Sequence, residues 1–266
     1  MQTTDPGSDL ARWAPAYPPA PNVEQTTVSG VDTWYYPVLV TADMLGRKAA
    51  DAGTVRVVLA LYQMLQEDDY IAVLKRYYGA GLERFGDQWQ YADLVTAAYA
   101  AAETLRPAAY LEIGVRRGRS MAAVALAAPT CNFVGFDRWT QNYAGMPNPG
   151  PEFVRDELKR VGHRGNVEFI SGNSHQTVPA YLAANPDAFF DLIVVDGDHS
   201  NQGAAEDIAC VLPRLKVGGA LLFDDIAHFK HTLIDVWRHF FLDTPRFSSW
   251  EFRDLGYGVG IAVRRF

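Results

Sequence analysis

Leu192-Ile193-Val194-Val195-Asp196-Gly197-Asp198-His199 is an apolar run that stops on acids, and Gly219-Ala220-Leu221-Leu222-Phe223-Asp224-Asp225 repeats the pattern further on. Runs of this kind, without polar alternation, read as strands buried on both faces, as in a parallel sheet covered by helices. Ligands of such sheets bind just beyond the carboxyl ends of the strands. Asp196, Asp224 and Asp225 are therefore expected at one mouth. Three carboxylates there repel one another unless a hard cation joins them, and an all-oxygen donor set suits Mg²⁺.

Working outward, the chain from about Pro107 alternates strand and helix. Strands are expected at Ala109–Ile113, Phe133–Phe136, Val167–Ile170, Leu192–Val195 and Ala220–Phe223. The helices between and after them are expected at Ser120–Ala127, Glu152–Val161, Thr177–Ala184, Gly203–Leu212 and Thr232–Phe241. That rhythm predicts an α/β, doubly wound sheet with right-handed crossovers. Trp250–Asp254 and Val259–Val263 are joined by Leu255-Gly256-Tyr257-Gly258 with no helix between them, so a terminal hairpin should add an antiparallel strand.

Before Pro107 the pattern differs. Met1 to about Ser29 is rich in Pro and Thr and reads as a mobile or surface-hugging arm. Tyr35–Val40 is strand-like. Ala42–Ala52, Val55–Gln66, Tyr70–Tyr78 and Trp89–Thr104 carry helical periodicity, as in Val58, Leu61, Tyr62 and Leu65. The expected division is an N-terminal arm and helical lid or oligomerisation segment over 1–106 and a catalytic domain over 107–266.

With 266 residues, 48% of them hydrophobic, the chain can bury a large core. A net charge of -7 and the absence of a long basic run argue against a nucleic-acid binder. Two cysteines, Cys131 and Cys210, suggest neither a disulfide scaffold nor a zinc site, and a reducing cytoplasm is the expected location. The first 21 residues lack the apolar core of a signal peptide, and no stretch is apolar enough to span a membrane.

After the first expected strand comes Glu112-Ile113-Gly114-Val115-Arg116-Arg117-Gly118-Arg119-Ser120. Glycines permit a tight turn and close approach to a ligand, and a following helix N-terminus offers free N–H groups to an anion. A dinucleotide fingerprint needs glycine where Arg116 stands, which disfavours NAD and FAD. Asp137 ends the second strand, where an acid can hold ribose hydroxyls. Arg116, Arg117 and Arg119 either touch a ligand or form a solvated basic turn.

The order Glu-x-Gly-x-x-x-Gly-x-Ser, an acid ending strand two, Asp-x-Asp ending strand four and Asp-Asp ending strand five resembles the class I S-adenosylmethionine-dependent O-methyltransferases. The likeness is to the metal-dependent group: catechol and caffeoyl-CoA O-methyltransferases and the macrocin-type sugar O-methyltransferases of antibiotic pathways. It covers about Pro107 to Phe266. The resemblance implies a Rossmann-like methyltransferase sheet. Glu112, Gly114, Gly118 and Ser120 would cradle the methionine end of S-adenosylmethionine, and Asp137 would bind its ribose. Gly172, Asn173 and Ser174 would lie near the adenine, and Asp196, Asp224 and Asp225 would hold Mg²⁺. Catechol-type enzymes have Asn at the position of Asp225 and Lys at that of His199.

The expected reaction is methyl transfer to a hydroxyl of a small natural-product acceptor, a glycosylated compound or sugar diol before a catechol-type phenol, by a homo-oligomer without membrane or nucleic-acid partners. His199, with Asp196 beside it, is the expected base, since a histidine titrates near neutrality. A methyltransferase fold repurposed for non-methylating chemistry, or as an accessory partner, is the competing reading. Asp198 is expected to serve a turn. His228 and His231 share a spacing that could serve a transition metal but make a poor site alone.

Overall fold

A computed structural model describes residues 10–35, 38–230, 232–242 and 244–266. A hairpin of β1 (Glu24–Val28) and β2 (Val31–Tyr35) comes first. Four helices follow: α1 (Ala42–Ala49), α2 (Ala52–Met64), α3 (Asp69–Phe85) and α4 (Leu94–Leu105). The alternating part runs β3 (Ala109–Ile113), α5 (Arg119–Ala127), β4 (Asn132–Asp137), α6 (Pro151–Arg160), β5 (Val167–Ser171), α7 (Ser174–Ala184), β6 (Phe190–Val195), α8 (Asn201–Val211), β7 (Leu215–Asp224) and α9 (Leu233–Phe241). It closes with β8 (Phe247–Phe252) and β9 (Val259–Arg264).

The main sheet has the order β5-β4-β3-β6-β7-β9-β8. The first five strands are parallel, and β9 is inserted antiparallel to both β7 and β8. The order reverses between β3 and β6, which opens the crevice expected of a doubly wound sheet at their carboxyl ends. The five internal strands, the terminal hairpin and the second group of helices thus lie where the sequence pattern places them, within a few residues at their ends.

Strand alternation sorts the apolar side chains into two layers. Tyr110, Leu192, Val194, Ala220, Leu222 and Ile261 join a core with α1–α6. Leu111, Ile113, Ile193, Val195, Leu221 and Phe223 join another with α7–α9. The helices before residue 107 therefore share a core with the sheet, and packing runs unbroken across residue 106. The α1 start is tied to β8, where Ala42 N–H donates to Ser248 Oγ at 3.0 Å.

Local chemistry explains where the expected elements shift. The side chain of Asp51 accepts from Gly53 N–H and caps α2, so α1 stops at Ala49 instead of continuing to Ala52. Helix α4 starts at Leu94, not Trp89, because Asp93 and Thr96 form a capping box. The expected strand Tyr35–Val40 lies one element early: β2 ends at Tyr35, residues 36–37 fall outside the described residues, and 38–40 are not strand. The arm's described part hugs the surface. Asn22 exchanges two hydrogen bonds with the Val217 backbone, at 2.7 and 3.3 Å, and Tyr17 stacks against Arg246 and Arg264. No helix among the described residues is long and apolar enough to cross a membrane.

Gly46 in α1 tests the shared core. A Cβ there would run into the indole of Trp250 on β8. Gly46→Ala should improve intrinsic helix propensity yet lower stability by about 1–3 kcal/mol through overpacking. Urea denaturation checks this; a variant as stable as the parent would mean that α1 does not seat on the sheet.

Candidate active site

The carboxyl ends of β3, β4, β5 and β6 are laced together by backbone hydrogen bonds. Gly114 N–H donates to Phe136 C=O, Asp196 N–H to Ile113 C=O and Gly172 N–H to Asp137 C=O, all within 2.8–2.9 Å. Gly114 has φ 91°, and a Cβ there would collide with the carbonyl oxygen of Asp196. Only glycine lets the β3 end lie this close to the β6 end. Gly118, at φ 70°, opens α5 and packs on Val154. Between them Arg116 is also left-handed, at φ 51°.

Two acids brace this loop. Asp137 accepts from Arg116 N–H at 2.6 Å and from Trp139 N–H at 2.5 Å, so the carboxylate sits at the loop edge with its orientation fixed. Glu112 is fully buried and accepts from Tyr110 Oη at 2.8 Å and from Ser120 Oγ. Burial pushes its pKa up to about 8 against those two hydrogen bonds, with the charges of Asp196 and Asp137 adding to the rise. Ser120, expected to face a ligand, is thus engaged with Glu112 beneath the loop. After β5, Gly172 and Asn173 turn into α7, with Asn173 Oδ1 accepting from His175 N–H. Ser174 is the first helical residue.

Asp196, Asp224 and Asp225 lie at the carboxyl ends of β6 and β7, where the charges of Asp196 and Asp225 act on Asp224. The pKa of Asp224 is driven well above the ordinary carboxylate value by burial and by the charges of Asp196 and Asp225. That of Asp225 is raised to about 6 by burial and Asp196, with His199 opposing. His199 stands between two of the three: Nε2 is 3.3 Å from Asp196 Oδ1 and Nδ1 3.8 Å from Asp225 Oδ2. Its hydrogen bond to Asp196, with the neighbouring acidic charges, raises its pKa against burial. Asp198 serves a turn, accepting from Ser200 N–H at 2.8 Å.

The donor set suits a hard cation, because three mutually repelling carboxylates, one of them enclosed, lack enough positive charge. The side chains are not preset for one. Among the described residues no three His, Cys, Asp or Glu side chains are grouped to hold a metal ion, and the His199 ring occupies the space between Asp196 and Asp225. The chemistry of the site fits Mg²⁺, with His199 the group that must give way. His228 packs on Tyr257 with ring centres 4.2 Å apart, while His231 lies outside the described residues.

The arginines of the loop do not form a solvated turn. Arg117 is buried and Arg119 partly so, and both pair with Asp68 Oδ2, at 2.7 and 2.6 Å. Asp68 also caps α3, through Ile71 N–H. Both guanidinium groups are thus engaged by a carboxylate of the helical segment. Sequence reading missed Asp68, and with it Asp93, whose charge acts on Asp224. The one local signal was Asp68 ahead of a helical pattern, which marks a cap and says nothing of a partner 51 residues away.

Comparison with known proteins places this geometry. A family model described as a methyltransferase domain matches residues 111–226. No curated protein matches the chain. Among solved structures, it is similar to a TDP-rhamnose 3′-O-methyltransferase of calicheamicin biosynthesis, at 20% identity, TM-score 0.50 and coverage of 80% of this chain and 93% of that one. The O-methyltransferase TomG from Streptomyces achromogenes, involved in tomaymycin synthesis, is 18% identical with TM-score 0.54, over 83% and 99%. An O-methyltransferase from Bacillus cereus is 15% identical with TM-score 0.50, over 80% and 91%. Residues 111–226 thus match a methyltransferase domain, and the chain shares the fold of these class I S-adenosylmethionine-dependent O-methyltransferases.

The raised Glu112 sets a pH dependence. A carboxyl whose folded pKa lies above its ordinary 4.5 is neutral in the fold when it is already charged in the unfolded chain. Stability should therefore fall as pH rises from about 4.5 toward 8. Glu112→Gln keeps a hydrogen-bonding oxygen and should flatten that part of the profile. Guanidinium denaturation at pH 6 and pH 8.5 measures it; parallel profiles for parent and variant would remove Glu112 as the cause.

Proposed function

We propose that this protein moves the methyl group of S-adenosylmethionine to a hydroxyl of a small natural-product acceptor, a sugar diol before a catechol-type phenol, and that Asp196, Asp224 and Asp225 hold Mg²⁺. The observation that carries the reading is the meeting of those three carboxylates and His199 beside the glycine loop at the sheet's switch point. The names of two similar structures support it, one a sugar O-methyltransferase and one solved in complex with S-adenosylmethionine.

The loop between Gly114 and Gly118 would receive the methionine end of the methyl donor, and Asp137, already oriented by two amides, has lone pairs left for ribose hydroxyls. Gly172, Asn173 and Ser174 would border the adenine. The acceptor oxygen attacks the methyl carbon as the carbon–sulfur bond breaks, and S-adenosylhomocysteine leaves. His199, moved out from between Asp196 and Asp225 when the metal binds, would take the hydroxyl proton. When bound, Mg²⁺ would orient the acceptor hydroxyl and make it more acidic.

Asp137→Ala should weaken S-adenosylhomocysteine binding more than about tenfold in calorimetry, through loss of charge-assisted hydrogen bonds. EDTA should abolish turnover and Mg²⁺ restore it, and Asp224→Asn should blunt the metal response while sparing S-adenosylhomocysteine affinity. His199→Ala should lower kcat by about 10²–10⁴-fold. Because only deprotonated His199 accepts a proton, wild-type kcat should climb with pH as His199 loses its proton, and the climb should vanish in His199→Ala. Full methyl transfer by protein shown to be metal-free would refute the metal assignment, and a wild-type pH profile in the variant would refute the base.

A further inference from the structure

The first turn of α7 reaches across to the loop that joins Asp196 to His199. His175, two residues past Asn173, stands among three carboxylates. Its Nδ1 is 3.3 Å from Glu206 Oε2, and its Nε2 is 3.7 Å from Asp207 Oδ1 and 4.0 Å from Asp198 Oδ2. Glu206 and Asp207 belong to α8, and Asp207 is buried. Nε2 is itself enclosed without a hydrogen-bond partner among the described residues, so charge is what holds it between Asp207 and Asp198. A neutral imidazole would turn a lone pair toward one of these acids, whereas an imidazolium offers a proton from each nitrogen. The same acids lie against the loop. A Cβ on Gly197 would come within 2.7 Å of Asp207 Oδ2, and one on Gly203 of α8 would collide with the Asp198 carboxylate. Asp198 also accepts from Ser200 N–H at 2.8 Å. Residues 197 and 198 are thus seated on α8, and His175 is the side chain that offsets the acidic charge gathered there.

We propose that His175 is a positioning residue for methyl transfer: it fastens α7 and α8 to the 196–199 loop and so sets where Asp196 and His199 stand. The inference rests on the methyl-transfer reading above. Asp196 is held from one side by its N–H bond to Ile113 C=O at 2.8 Å, so the rest of the loop takes its place from Asp198 and Gly197. Without His175, the carboxylates of Asp198, Glu206 and Asp207 face one another uncompensated. Asp198 is the most exposed of the three and the one on a loop, so it is the one that withdraws, and His199 moves with it.

The test uses the full chain with S-adenosylmethionine, Mg²⁺ and three probes: TDP-rhamnose, methyl α-rhamnoside and 3,4-dihydroxybenzoate. His175→Gln keeps a hydrogen-bonding side chain and removes the charge. It should lower kcat about tenfold, as expected for one charge-assisted contact, while the S-adenosylhomocysteine Kd stays within about twofold of wild type. Amide hydrogen exchange at 197–199, followed in the protein without ligands, should become faster. Adding Asp207→Asn to His175→Gln removes one uncompensated acid and should restore most of the lost kcat, a non-additivity that a general loss of stability does not produce. Faster exchange with an unchanged kcat, or a kcat that the second substitution lowers further, overturns the proposal and leaves methyl transfer standing. A loss confined to S-adenosylhomocysteine affinity assigns His175 to the methyl donor and also overturns it. Absence of transfer to every probe by the wild type overturns this inference together with the reading beneath it.

Discussion

The site depends on a close approach of two backbones. At the fork where the strand order reverses, the first residue after β3 lies against the carbonyl of the first residue after β6, and only Gly114 at φ 91° permits it. Register does the rest. Glu112 pairs with Val194 and Val194 with Leu222, so those three face the same helical layer at one level. Two residues further along, in the same phase, come Asp196 and Asp224. Neighbouring strands stand about 4.8 Å apart, which brings the two carboxylates together without any contribution from loops. Asp225 then turns at φ 59°, a left-handed conformation that returns its side chain toward His199.

This convergence has an electrostatic cost that the fold meets only in part. Burial raises the proton affinity of Asp224 and Asp225, the charge of Asp196 adds to both, and Asp225 adds to that of Asp224. His199 is the nearest cationic group, shared between Asp196 and Asp225, while the pKa of Asp224 is driven up further by Asp93 in the helices before the sheet. A histidine relieves two carboxylates incompletely and only while protonated. A site that leaves an enclosed carboxylate short of positive charge is one in which a divalent cation would gain most from binding.

Legibility in the sequence followed the range of the interaction. The apolar runs of β6 and β7, the acids that end them and the glycines before α5 are local signals, and they located the sheet, its switch point and the three carboxylates. Asp198 was readable too, because an Asp side chain readily accepts from the backbone N–H two residues on, here that of Ser200. The partner of Arg117 and Arg119 was not readable, since it is Asp68, the cap that opens α3. The β1–β2 hairpin was hidden for a different reason: polar, Thr-rich strands exposed along much of their length lack the alternation that burial imposes.

The same long-range contacts change how the first hundred residues should be understood. Asp68 both caps α3 and pairs with two guanidinium groups of the glycine loop, those of Arg117 and Arg119. Removing one partner of a buried ion pair costs about 3–5 kcal/mol, because the remaining charge is left uncompensated. The loop geometry is therefore linked to the packing of α2 and α3 on the sheet. Asp93 extends that link, as it caps α4, accepts from Tyr78 and lies close enough to act on Asp224. A chain cut at residue 107 would keep every strand of the main sheet, yet leave Arg117 and Arg119 without their carboxylate and one face of the sheet without α1–α4. The helical segment belongs to the architecture of the site itself, and its sequence lacks a motif for this because its work is done by ordinary capping acids in contact with distant arginines.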